Sequence, residues 1–254
     1  MKHRHSVKPG GQRLRVVPGT WERLTNKAQR KLVGSFDAWS VKIRKSIEAA
    51  AKRGATPAEQ YAIFEKGLAE LEASMTTATA ETIKRAGKVS AKSRATLPAV
   101  EATITKHILD SEKIVKEGLI PTIHKRLAGD IAKGFIDKKV LREAFLTVRN
   151  APAQTAGSSW VTIFDVQRTL GRERQLELIS EGKKPEKVRW VLDPAAAHCN
   201  DGPGTYGCLG LAGEYDSWDA LPTLPAAQTT CRGNNRCHIE VFRDGSWQRG
   251  VYPD

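Results

Sequence analysis

Lys187-Val-Arg-Trp-Val-Leu192, followed by Asp193-Pro194 and then His198-Cys199, is where the chain changes character. Apolar and polar residues alternate in it, and it is rich in β-branched and aromatic side chains, the pattern of a half-buried strand. The apolar patterns before it have helical period. Reading outward from this stretch gives the fold class: α+β, mainly α. A long-helix hairpin or bundle comes first. A small loop-rich module with a short antiparallel sheet follows.

Downstream, His238-Ile-Glu-Val-Phe-Arg243 reads as a second strand. Asp244-Gly245 is a hairpin turn signal, and Trp247 to Tyr252 returns as a third strand. About forty-five residues of little periodicity separate the first two strands. A structureless stretch of that length needs something to hold it.

All four cysteines lie there: Cys199, Cys208, Cys231 and Cys237. Eight residues separate the first pair, twenty-two the middle two and five the last pair. Two close pairs with a longer spacer suit a tetrahedral structural zinc, whose binding supplies folding energy that a small core lacks. Two disulfides, or four unlinked buried thiols, are the competing readings. His198 and His238 adjoin cysteines and are alternate ligands. Asp201, Glu214 and Glu240 are the candidate bases if the site were catalytic. No metalloprotease or deaminase motif accompanies them, and four thiolates make a closed, electron-rich site, so the reading is structural rather than enzymatic.

Upstream, Trp21, Leu24, Ala28, Leu32, Phe36, Trp39, Ile43 and Ile47 form one apolar stripe of a helix that Thr20 can cap and Gly54 can end. Thr56-Pro-Ala-Glu59 is a capping box opening a second helix that can run to Arg85, with Gly87 past its end. A third helix is expected to end at Gly118 and a fourth to start after Pro121. A shorter fifth carries Val140, Phe145 and Val148, and an amphipathic helix runs from Trp160 to about Ser180. His107 and His124 lie singly on helices and read as packing or surface residues. The boundaries that follow are a basic flexible arm over 1–19, a helical domain over 20–150, and a C-terminal domain over 151–254 with its four-cysteine module at about 187–243.

The chain has 254 residues and a formal net charge of +13. Residues 1–55 hold 14 Lys/Arg against 3 Asp/Glu, whereas residues 191–254 hold 4 against 8. A basic block of that strength suits a polyanion, nucleic acid first, although a solvated helix face has the same composition. Arg23, Lys27, Arg30, Lys31, Lys42, Arg44, Lys45, Lys52 and Arg53 are the candidate phosphate contacts. No run of eighteen apolar residues is present, so no membrane span is expected. No apolar run follows the basic Met1-Lys-His-Arg-His5, so no secretory signal is expected either.

Four motifs in fixed order carry a family resemblance. They are Trp190-Val-Leu-Asp193 with His198-Cys199; Cys208-Leu-Gly-Leu-Ala-Gly-Glu-Tyr215; Leu221-Pro-Thr-Leu-Pro225; and Thr230-Cys231-Arg-Gly-Asn-Asn-Arg236-Cys237. Over about residues 160–243 the chain resembles the head-morphogenesis family of tailed phages, the phage Mu protein F-like minor head proteins. It departs from the family pattern twice. Eight residues, Asn200 to Gly207, stand where two are usual, and Asn235 stands where the last cluster has its middle cysteine. The resemblance implies a minor structural component of the virion, in the head interior or at the portal vertex, made in the host cytoplasm. It would act in capsid assembly, portal association and DNA packaging or ejection. The implied partners are the portal or major capsid protein and non-specifically held double-stranded DNA. A homo-oligomer is compatible with this, and no membrane is involved. The alternative is a zinc-dependent nuclease or DNA-processing enzyme.

Overall fold

The computed structural model describes residues 20–134, 138–148, 152, 157–194, 198–225, 227–230 and 237–249. The expected basic arm and Cys231 lie outside the described residues. The chain forms two compact units, and no single cut near residue 150 divides them. One consists of Thr25–Arg85 and Ile104–Ser159; the other of Met1–Leu24, Ala86–Thr103 and Trp160–Asp254. They are called here the helical unit and the mixed unit.

In the helical unit, α1 (Thr20–Lys52) and α2 (Pro57–Ala91) form an antiparallel hairpin. α1 closes on Gly54, whose φ is +81°, and the Ala55 N–H caps back onto the Ala50 carbonyl at 3.0 Å. The capping box is present. The Thr56 N–H donates to Glu59 Oε2 at 2.7 Å, and the Glu59 N–H donates to Thr56 Oγ1 at 3.3 Å. Ala28, Leu32, Phe36, Trp39, Ile43 and Ile47 are all buried, as the stripe predicts. The register is set by a contact that periodicity does not reveal: Trp39 Nε1 donates to the Gly67 carbonyl at 2.6 Å. A Cβ on Gly67 would collide with the Ile43 side chain, so glycine is what permits this approach of the two helices.

The expected break between a third and a fourth helix is not there. α3 (Pro98–Lys113), a π-helical turn (Ile114–Leu119) and α4 (Ile120–Ala132) run on without interruption. Pro121 can donate no N–H, and its ring presses on the carbonyl four residues back. The wider π turn before it absorbs that conflict, so the helix continues instead of ending at Gly118. Continuity keeps Val115, Leu119, Ile123, Leu127 and Ile131 in the same core as α1 and α2. α5 (Lys138–Val148) adds Phe145 and Val148 to it.

In the mixed unit, α2 extends past the predicted stop to Ala91, and Gly87 lies inside it. α6 (Gly157–Ser180) lies beside this end of α2. Gln167 Nε2 donates to the Ser90 carbonyl at 2.6 Å, and the Ser90 hydroxyl donates to the Ile163 carbonyl at 2.9 Å. A four-stranded antiparallel sheet follows, with β1 Val188–Val191, β2 Gly213–Tyr215, β3 His238–Arg243 and β4 Ser246–Arg249 in the order β2-β1-β3-β4. β1 and β3 match the predicted strands; β4 covers the first part of the third, whose residues 250–252 lie outside the described residues; β2 was not foreseen. Val188, Trp190, Ile239 and Val241 line the buried face. On the opposite face Glu214, Arg189, Glu240 and Arg249 stand side by side across the four strands with alternating sign.

Candidate metal centre

The cysteines enter the structure from three places in the mixed unit. Cys199 follows β1 after a short connection. Cys208 opens α7 (Cys208–Leu211), a single helical turn. Cys237 directly precedes β3, which pairs with β1 so that Trp190 lies opposite Ile239 and Val191 opposite His238. Strand pairing therefore returns Cys237 to the end of the strand from which the chain leaves toward Cys199.

The eight-residue loop between Cys199 and Cys208 closes on itself. Gly202 and Thr205 exchange two backbone hydrogen bonds, at 3.1 and 3.0 Å. Asp201 Oδ1 accepts the Gly207 N–H at 2.5 Å. A Cβ on Gly207 would strike the backbone of Asn200, so this closure requires glycine. The two ends of the loop are thus brought back together. The Cys199 and Cys208 sulfurs lie 3.5 Å apart, and the Cys208 N–H donates to Cys199 Sγ at 3.4 Å. A tetrahedron with Zn–S bonds near 2.3 Å has an edge of about 3.8 Å, so this separation suits two ligands of one ion.

The same loop is tied to the segment that leads to the fourth cysteine. Tyr206 N–H donates to the Gln228 carbonyl at 2.8 Å, and Thr230 N–H donates to the Tyr206 carbonyl at 3.0 Å. The Thr230 hydroxyl also reaches the Asn200 carbonyl at 3.1 Å. Thr230, which precedes Cys231 in sequence, is therefore fastened to Asn200, which follows Cys199.

Cys237 is buried, and its thiol lies at about 6 instead of its ordinary 9. The hydrogen bond with the Cys208 side chain is the main cause, working against burial. The Trp190 indole, the Asp193 backbone and the His198 charge add to it. Trp190 Nε1 is buried without a hydrogen-bond partner among the described residues. A thiol lowered this far is largely thiolate at neutral pH, the form that binds metal.

No disulfide joins Cys199, Cys208 and Cys237 to one another, and sulfur contacts link them through Cys208. Among the described residues no group of three or more His, Cys, Asp or Glu is placed to hold a metal ion together. No family model matches the chain, and no curated protein or solved structure is similar enough to be matched with it.

The alternate ligands differ. His198 lies close enough to influence Cys237. His238 Nε2 is engaged with Glu240 Oε1 at 3.1 Å. Two of the three candidate bases have structural work: Asp201 closes its loop, and Glu240 is held by Arg189 and His238, while Glu214 is exposed on β2. Of the residues that build the site, sequence reading gave no role to Thr205 or Tyr206, and Thr230 entered it only as a motif residue. Their bonds join segments more than twenty residues apart, for which periodicity has no signal. The turn-forming Asp201-Gly-Pro-Gly204 was the available clue to a closed loop.

The candidate phosphate contacts lie on α1, except Arg53, which is exposed in the turn that follows it. At about 100° per residue, Lys27, Arg30, Lys45 and Lys52 fall within an arc of about 60°, opposite the buried stripe; Arg23 has the same phase. All five are exposed. Lys31 pairs with Glu81, and Lys42 pairs with Glu70 at 2.7 Å, both in the open, where such pairs are weak. Arg44 is half-buried and bonds the Ser40 carbonyl.

Proposed function

We propose that this chain is a minor head protein of a tailed bacteriophage: a structural virion component with a zinc-stapled C-terminal module and a basic helix that meets packaged DNA. The observation that carries the reading is the way the resembling motifs pack. Trp190, Cys208, Leu211, Leu221, Leu224 and Cys237 come from all four motifs and belong to one buried cluster, with Cys199 and Tyr215 against its edge. Sequence blocks that share one core behave as one module, which supports treating them as a single inherited unit.

The chemistry of four cysteine thiols supports zinc as the ion. Cys199, Cys208 and Cys237, with Cys231 as the fourth ligand, would hold the ion. A bound zinc would join the turns on which they sit and supply folding energy to a loop-rich segment. The thiolate character of Cys237 and the N–H donated to Cys199 both favour charged sulfur. The α1 stripe supports DNA contact through phosphates alone, because a row of long cationic side chains neutralises backbone charge without reading bases. Portal or major capsid protein is the protein partner in this reading, which assigns no catalytic residue.

Mass spectrometry of purified particles tests the reading. The chain is expected at low copy number, protected from added protease until the head is opened. Its absence from particles, with the chain accumulating free in the host lysate, would overturn it.

A further inference from the structure

The mixed unit carries a second recess, a cleft of about 800 Å³ that none of the cysteines lines. Its wall combines cations and aromatic rings. Phe242, 41% exposed, meets Trp247 edge to face with centroids 5.2 Å apart. The Arg189 guanidinium lies 4.5 Å from the centroid of the Trp247 ring. Trp247 is thus held by Arg189 and by Phe242, and Phe242 keeps an open surface in the cleft. Its N–H donates to the Lys187 carbonyl at 2.8 Å, which seats a lysine beside the ring.

Six basic residues line the cleft against three acids. One pair of opposite charges is spent internally: Arg243 grips Glu186 through two hydrogen bonds, at 2.8 and 3.1 Å, with both side chains nearly buried. That pair forms a rigid wall and adds no net charge. Arg94, Arg174, Lys183, Lys184 and Lys187 then face only Glu214 and Asp244. Arg174 and Lys183 have carboxylate partners at Glu177 and Glu181, in exposed pairs weak enough to yield to a phosphate. Lys184 and Lys187 are in no salt bridge among the described residues.

We propose that this cleft binds a single-stranded nucleic-acid segment, one base stacked on Phe242 and the adjoining phosphates on Lys184 and Lys187. An aromatic surface among cations is the arrangement that holds unpaired bases, since any base has a face to stack. A duplex keeps its bases in its own stack and gains nothing from Phe242. An acidic peptide would use the lysines without the ring. The cleft lies on different residues from the α1 stripe and does not depend on the cysteines' holding a metal.

The test measures anisotropy of labelled oligothymidylate and of a duplex of equal length with the full chain at several salt concentrations. Phe242→Ala is expected to weaken oligothymidylate binding about tenfold and duplex binding no more than about twofold, while Phe242→Trp restores the single-strand affinity. Lys184→Glu with Lys187→Glu should flatten the salt dependence for the single strand. A Lys27→Glu, Lys45→Glu, Lys52→Glu variant should weaken the duplex instead. Equal losses for both substrates in Phe242→Ala, no loss, or no rescue by Phe242→Trp would each overturn the proposal. So would a labelled oligoglutamate that binds and depends on the two lysines but not on Phe242.

Discussion

The helix hairpin of the helical unit and the cysteine-bearing part of the mixed unit are held together by different physics. In the hairpin, Leu32, Phe36, Phe64, Leu71 and Met75 are almost wholly excluded from solvent and interlock along two long helices. Its stability is distributed, and most of it is apolar burial. Between β1 and β3 regular structure is scarce. The backbone there is fastened by Asp201 to Gly207, by Thr230 to Asn200, and by sulfur contacts through Cys208. Leu211, Trp218, Leu221 and Leu224 anchor that segment in the core of the mixed unit, and these few specific bonds fix the course of the backbone before and between them.

Metal removal is the sharpest way to break the comparison. One equivalent of zinc is expected in protein purified under reducing conditions. Chelation, or Cys208→Ser, should abolish binding and collapse the near-ultraviolet signal of Trp190 and Trp218, both buried in the same cluster as Cys208. The folding free energy of a structural zinc is on the order of 10 kcal/mol, more than such a segment can otherwise muster. Helical far-ultraviolet signal should largely survive. Metal-free protein with an intact tryptophan signal would mean that the thiols simply pack, and the zinc reading would fall.

The converse experiment strikes the hairpin. Phe36 is 1% exposed and its ring lies tilted against Trp39, with centroids 5.5 Å apart. Phe36→Ala should cost about 3–5 kcal/mol, the usual loss for truncating a buried aromatic. Denaturation followed by far-ultraviolet signal should shift to lower denaturant while the zinc content stays at one. Loss of zinc in step with helix would show that the two regions do not stand separately and would undo the distinction.

The two regions were also unequally legible from sequence. Ala28 to Ile47 announced a buried stripe because local spacing alone fixes which side of a helix is apolar. The strands at 188–191 and 238–243 were visible through alternation. Three features were not. The passage through Pro121 depended on a π turn, which leaves no compositional mark. The pairing of Gly67 with Trp39 is a contact between helices, so neither residue's neighbours betray it. β2 at Gly213–Tyr215 is too short for alternation to register, and only its pairing with β1 defines it. In the cysteine region, sequence supplied the ligand candidates and flagged the long first loop as a departure. That the loop folds back, through Asp201 and the Gly202–Thr205 turn, to leave two sulfurs 3.5 Å apart is a tertiary fact.

The outer face of the sheet gives the smallest and most discriminating effect. Burial raises the Glu240 carboxyl, but the hydrogen bonds from Arg189 and His238 outweigh it, so the group lies below its ordinary 4.5. A carboxyl lowered in the folded chain contributes stability that is complete above the unfolded value and is lost as pH falls through the folded one. Arg189 also stacks on Trp247, so it is already partly fixed before Glu240 binds it, and the pair costs less ordering than a free one. Removing the charge with Glu240→Gln should therefore cost about 1 kcal/mol or less at neutral pH. It should also flatten the loss of sheet stability below about pH 4.5. The helical transition, which contains neither residue, should keep its acid profile unchanged. An equal change in both transitions would show that acid acts on the whole chain through net charge rather than on this pair.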